Sequence, residues 1–482
     1  MRKMMPREMA RRGKPFVAIL ALAASATIFA QPRPQSPDWT ALQEETMRHY
    51  QTLLRFDTSD PPGKELPAVE YLKQVLDKEG IPAKVLGMDP NRPNVVARLK
   101  GNGKKRPLLI MGHTDVVNVD PAKWKFPPFS ATRDGGYIYG RGTVDDKDNL
   151  VSSLMVMLEL KRLNVPLDRD VIFLAESGEE GASRFGIQFM ANQHFAEIEA
   201  EYCLAEGGGV TRMGGEVKFA QIQTLEKIPH AIELVASGIS GHGSVPLGTN
   251  PVVHLSSAVA KVGEWRPDIR LNETTGTYFR RLAAISPPEQ ARVYRDVLSP
   301  DQKVARAADD WLFANEPRHS SMLRTSASPN IFTGGYRVNV IPSEAKATID
   351  VRMLPDEDPA KFLEKVKQIV NDPAVDVHFT ARDVRPKQPD ARLDSEAFKV
   401  LEAAVTTHYN AVTLPSMSTG ATDMAYLRSK GMQCFGIGPA TDAEDGPKGF
   451  GAHSDQERLL ESELYRFVRF NWDAVIELAR AR

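Results

Sequence analysis

At 482 residues the chain exceeds what one ordinary hydrophobic core organises, so two domains with accessories are expected. With 42% apolar residues, 26% charged residues and a formal net charge of -1, the composition is that of an ordinary globular protein. It carries no global signal for nucleic acid or for a membrane surface.

Arg2, Lys3, Arg7, Arg11, Arg12 and Lys14 precede the apolar run "FVAILALAASATIFA" at 16–30. A basic region, a short apolar region and small residues predict a signal peptide over 1–30, hence an exported, periplasmic or secreted protein. The run is too short for a comfortable membrane span, so no membrane contact is expected after cleavage. Helical patterns follow at 39–56 and 65–79, strand-like runs at 94–99 and 107–112, a helix at 149–163, a strand at 170–175, a short helix at 185–192 and a strand at 201–205. This alternation predicts an α/β catalytic domain, a mixed sheet flanked by helices, whose first part covers 38–225.

The texture changes near residue 226. "KIPHAIELVASG" reads as a strand, "SGISGHGSVP" as a turn, "NPVVHLSSAVAKV" as a helix, and 264–325 as a charged helical stretch. "YRVNVIPSEAKATIDVRMLP" then predicts strand, turn and strand, followed by a helix at 358–370 and the strand "AVDVHFTA". The order strand–helix–strand–strand–helix–strand describes an α+β unit inserted over 226–384. After it the catalytic domain resumes over 385–482, with a helix at 394–409, a strand at 432–437 and a final helix at 462–480. Cys203 and Cys434 lie in strand-like apolar contexts and are expected to be buried free thiols, since two cysteines make no disulfide framework.

The chemistry-bearing residues fall where strands end. "LLIMGHTDVV" sets His113 and Asp115 on one side of a strand terminus. "YGRGTVDDKDN" sets Asp145 after a glycine-rich turn, "AESGEEGAS" sets Glu179 and Glu180 past another strand, "YCLAEGGG" sets Glu206, and "GFGAHSDQERL" sets His453 in a loop. Singly, these motifs read as solvated turns, helix starts or loop histidines. Jointly they converge, because ligands of an open α/β sheet gather outside the carboxyl ends of its strands. Two histidines with several carboxylates suit zinc, or Mn and Co, better than soft metals. The surplus carboxylate points to two ions sharing one Asp. "GRGTVDD" lacks the Lys-Ser/Thr pair of a phosphate loop. "GHGS" is no nucleophile elbow for Ser244.

On these motifs, in this order, the sequence resembles the M20 metallopeptidases (aminoacylase, carboxypeptidase G, desuccinylase and carboxypeptidase S relatives) over nearly all of the chain past the leader. The resemblance implies a zinc-peptidase-type catalytic domain with an inserted lid or dimerisation domain, and two Zn2+ per subunit. His113 and Glu206 would hold one ion, Glu180 and His453 the other, and Asp145 both. It gives Glu179 the role of general base, Asp115 that of the acid orienting His113, and a cis peptide to Asp145-Asp146. By the same resemblance His242 in "SGISGHGSVP" stabilises the oxyanion of a neighbouring subunit, hence a homodimer. Asn339 and Arg352 bind the substrate carboxylate, and Gly420 and Asp423 in "STGATDMAYL" line the substrate pocket. Two departures stand out: Ala205 replaces an Asp of some relatives, and Asp148 replaces a Gly of many. The expected activity is hydrolysis of an amide bond beside an amino acid with a free carboxylate, in a small peptide or an N-acyl amino acid. The alternatives are an exported dipeptidase or aminopeptidase of the same clan, or a non-catalytic metal- or peptide-binding homologue. Glu176 is left without a role.

Overall fold

The computed structural model describes residues 36–380 and 384–481; the leader read as a signal peptide lies outside them. Four parallel strands form the centre of a ten-stranded sheet, in the order Val171–Glu176, Leu108–His113, Tyr202–Ala205, Gln433–Gly436. Asn94–Leu99 flanks them antiparallel on one side and Glu216–Glu226 on the other. Every residue of Leu108–His113 and Val171–Glu176 is buried, which is why these stretches read as unbroken apolar runs rather than as alternation. The period of two still sorts them. Leu108, Ile110, Val171 and Phe173 face a core built with the helices Trp39–Leu54, Lys147–Arg162 and Glu461–Ala479. Leu109, Met111, Ile172 and Leu174 face the opposite core with Ile187–Gln193 and Met424–Ser429.

The helix Lys147–Arg162 is buried from Lys147 through Leu160 and lies directly on the sheet. Gly112 permits that approach: a Cβ there would come within 2.8 Å of Asp146 Oδ2 and 3.0 Å of the Leu150 nitrogen. The start of this helix is thereby pinned over the terminus of the strand that carries His113. Cys203 and Cys434 are buried free thiols on neighbouring strands.

A separate four-stranded antiparallel sheet has the order Ser326–Gly334, Glu344–Met353, Ile228–Ser237, Val375–Phe379. The helices Pro251–Glu264 and Pro359–Val370 close its core. The order of elements is the expected one, but the second strand is Ser326–Gly334, not the stretch beginning at Tyr336. Residues 336–339 form a turn after Gly335, whose φ of +71° ends the strand, and Val340–Ile341 pairs only with Gly241–His242. The true strand is an edge strand with a register shift at Pro329, which breaks the alternation that would have revealed it. Thr413–Ser418 was hidden as well: it carries Pro415 and pairs only with Glu216–Glu226.

The helical stretch within 264–325 does not join the core of the small sheet. Glu273–Ile285, Pro288–Asp296, Gln302–Asn315 and Pro317–Met322 pack with Leu225, Leu414 and Met417 of the large sheet. The expected inserted unit of 226–384 therefore serves two cores. No helix among the described residues is long and apolar enough to cross a membrane.

Candidate functional site

Parallel strands align their carboxyl ends, so the residues just past them meet. His113 is the last residue of its strand, Glu179 and Glu180 lie in the turn after Val171–Glu176, and Glu206 follows Tyr202–Ala205. Asp145 precedes the helix Lys147–Arg162, joined to Asp146 by a cis peptide as the resemblance implied. His453 comes from a loop near the C-terminus, at a φ of +59°.

These residues come together. His113 Nε2 lies 3.1 Å from Asp145 Oδ1, and His453 Nε2 lies 3.0 Å from both Asp145 Oδ2 and Glu180 Oε1. Asp145 thus presents one oxygen to each histidine. Ligand atoms of His113, Asp145 and Glu180 all lie within 4.8 Å of one another, and so do those of His113, Glu179 and Glu206.

The electrostatics ask for cations. Two like charges ~4 Å apart repel by about 4 kcal/mol at an effective dielectric near 20. Burial pushes Glu180 up to about 7, against the hydrogen bond from His453. Burial, with repulsion from Glu179 and Asp145, drives Glu206 well above the carboxylate range. Burial opposes the charge on Asp145 too, but its contacts with His113 and His453 outweigh it and hold this carboxyl low. The carboxylates of Asp145 and Glu180 lift His453 to about 10. Nitrogen and oxygen donors in this number and spacing suit divalent cations.

Three surrounding networks hold the donors. Asp115 accepts hydrogen bonds from the backbone N–H groups of Glu179 (3.1 Å) and Glu180 (2.9 Å), while its own backbone oxygen lies 2.9 Å from His113 Nδ1. One residue therefore orients a histidine donor and fixes the turn carrying both glutamates. Arg141 bridges the loops of Asp145 and His453: Nη1 reaches Glu457 at 2.7 Å and Nη2 the Ser454 carbonyl at 2.7 Å. Glu457 also accepts from the Gly142 and Val144 backbone. Behind the glutamate turn, Arg92 Nη2 pairs with Asp60 (2.7 Å) and Glu65 (2.6 Å). Asp60 and Glu65 also cluster with Asp115, and both already pair with Arg92.

Arg385 went unnoticed in the sequence. It bridges Glu179 Oε1 at 2.9 Å and Asp423 Oδ1 at 3.0 Å. Its loop, "VRPKQPD", carries no motif, and the pairing spans 206 residues. Asp423 is thus brought to the site, through Arg385, whereas Gly420 only donates its N–H to Ser418 Oγ. Asp148 is fully buried and its carboxylate oxygens find no partner among the described residues. Glu176 is buried as well; burial and the nearby Asp423 push its carboxyl well up, toward the neutral acid.

The lid residues stand apart from this cluster within one chain. His242 is exposed, with Nδ1 2.7 Å from Ser244 Oγ. Asn339 accepts at its backbone oxygen from Gly243 N–H, and Arg352 Nε pairs with Asp350 at 2.9 Å. None of the three lines the cavity of about 600 Å³ that opens beside Asp145 and Glu206.

The sequence profile of "Peptidase family M20/M25/M40" matches residues 109–476. The chain is 28% identical over 335 residues to a probable carboxypeptidase S-like 2 of Dictyostelium discoideum, covering 66% of this chain and 62% of that protein. It is 29% identical over 330 residues to the human N-fatty-acyl-amino acid synthase/hydrolase PM20D1, covering 67% of this chain and 64% of that one. The match thus spans less than two thirds of either relative. In fold it is similar to the M20 family metallo-carboxypeptidase Sso-CP2 from Sulfolobus solfataricus, with a TM-score of 0.69, 22% identity, and coverage of 89% of this chain and 98% of that one. The chain belongs to peptidase family M20/M25/M40.

Proposed function

We propose that the protein is a di-zinc hydrolase that cleaves the amide bond next to an amino acid bearing a free carboxylate, in a small peptide or an N-acyl amino acid. The observation that carries this reading is the convergence of His113, Asp145, Glu180, Glu206 and His453 around a fourth carboxylate, Glu179, that the two-ion arrangement leaves free. His113, Asp145 and Glu206 would hold one ion, and Asp145, Glu180 and His453 the other. Zinc at these positions supplies a lowered pKa for a bound water and polarisation of the scissile carbonyl.

The chain's own residues do the rest. Glu179 takes the proton of the attacking water and delivers it to the leaving nitrogen, so one carboxylate serves as base and then as acid. Arg385 holds Glu179 Oε1 and thereby sets the direction of the carboxylate. Asp115, through the two backbone N–H groups it binds, keeps Glu179 and Glu180 one residue apart but facing different tasks.

His242, Asn339 and Arg352 enter this scheme from a second copy. The lid supports such an assembly: its edge strand exposes Ile331 and Phe332, and Ile239, Val245, Val253, Tyr336 and Val338 are exposed around it. In sedimentation, the wild-type chain is expected to run as a dimer and Phe332→Asp as a monomer. A monomeric wild type would remove the role given to His242.

The reading is tested by incubating the purified protein with N-acyl amino acids and dipeptides, with added zinc and after chelation. Release of the C-terminal amino acid that depends on metal and fails when the free carboxylate is amidated is expected. Turnover indifferent to chelation, or none with any substrate of these classes, would overturn it.

A further inference from the structure

The cavity beside the metal residues has one wall made by the helical stretch of the insertion. Asp145, Glu206 and the glycine-rich segment 207–209 lie on the sheet side; Tyr278, Arg318 and His319 face them from the helices. A cavity of about 600 Å³ accommodates a ligand larger than the bond to be cut.

Two arginines line it, in opposite situations. Arg458 is committed: Nη2 and Nε reach Asp445 at 2.6 and 3.1 Å, and its guanidinium lies 4.0 Å from the centre of the Tyr137 ring. Arg318 is exposed and makes no ion pair or hydrogen bond with any described residue. Its backbone is nevertheless held. The adjacent His319 lies 3.0 Å from Tyr278 OH through Nε2 and 2.5 Å from Glu316 through Nδ1, and its ring packs against Phe279 and Tyr294. Of the lining carboxylates, Asp148 is fully buried and without a hydrogen-bond partner among the described residues, and the other four are engaged. Asp145 and Glu206 belong to the metal donors, Asp445 to Arg458, and Asp442 to Arg212 (3.2 Å) and the Tyr137 hydroxyl (2.6 Å).

We propose that Arg318 is a specificity residue that receives a carboxylate of the substrate within the same chain, in the cavity it lines together with Asp145 and Glu206. A guanidinium on an anchored wall, facing the cavity and unpaired, is suited to bidentate capture of a planar carboxylate. This site is distinct from Asn339 and Arg352, which do not line the cavity. That the occupant is a substrate rests on the hydrolase reading; that it carries a carboxylate rests on the cavity. The carboxylate is either the α-carboxylate of the amino acid, in place of Asn339 and Arg352, or one on the acyl group.

The test measures equilibrium binding by the zinc-loaded Glu179→Gln protein, so that it needs no turnover. Three probes separate the sources: N-acetyl-methionine, N-succinyl-methionine amide and the neutral N-acetyl-methionine amide. One of the two carboxylate probes is expected to bind about tenfold more tightly than the neutral one, and Arg318→Gln to erase that difference while leaving the neutral probe unchanged. Arg318→Lys is expected to restore part of it. If the preference survives in Arg318→Gln, or if neither carboxylate probe outbinds the neutral one, the proposal is wrong. Turnover of the same probes by the wild-type chain is scored separately, so a lack of hydrolysis counts against the hydrolase reading alone.

Discussion

Glu179→Gln is expected to lower kcat by roughly 10²–10⁴-fold, the usual worth of a positioned general acid–base, while the protein keeps its metal. The substitution preserves the volume of the side chain and an oxygen for Arg385, which lies 2.9 Å from Glu179 Oε1. It leaves the backbone N–H of residue 179 on Asp115. What it removes is the ability to accept a proton next to the ions. Metal content and folding should therefore match the wild type, and the loss should fall on kcat with little change in KM. Retention of kcat within about threefold would show that another group moves the proton.

Asp145→Ala is expected to abolish activity by a different route. Asp145 is the one side chain with an oxygen beside each histidine, 3.1 Å from His113 Nε2 and 3.0 Å from His453 Nε2. In the proposed two-ion site, removing it takes a ligand from both ions at once and leaves Glu180 and Glu206 to repel each other across the gap. Both metals should be lost on gel filtration, whereas His453→Ala should lose only one. Metal analysis of the two variants separates these outcomes; an Asp145→Ala protein that retains both ions would exclude the bridging role.

The centre of the site was legible because it follows from backbone rules. His113, Glu179, Glu180 and Glu206 sit just past buried parallel strands, and such strands announce themselves as apolar runs. His453 is on a loop and was readable only from its place in the ordered motif set. The supports were not legible. Arg92 with Asp60 and Glu65, Arg141 with Glu457, and Arg385 with Glu179 and Asp423 are ion pairs between distant segments, and each arginine alone reads as a surface charge. Edge strands were missed for a local reason: Pro329 breaks the alternation of Ser326–Gly334, and Pro415 interrupts a short stretch that is buried almost throughout. The packing of the insertion on the large sheet was invisible too, since the apolar face of an amphipathic helix does not say which partner it covers.

The proposed pair of cations sharing Asp145 is tested most directly by a zinc titration of metal-stripped wild-type protein. Activity is expected to return with metal and to saturate at two equivalents per chain, both retained on gel filtration. Saturation at one equivalent, or full activity with none, would contradict it.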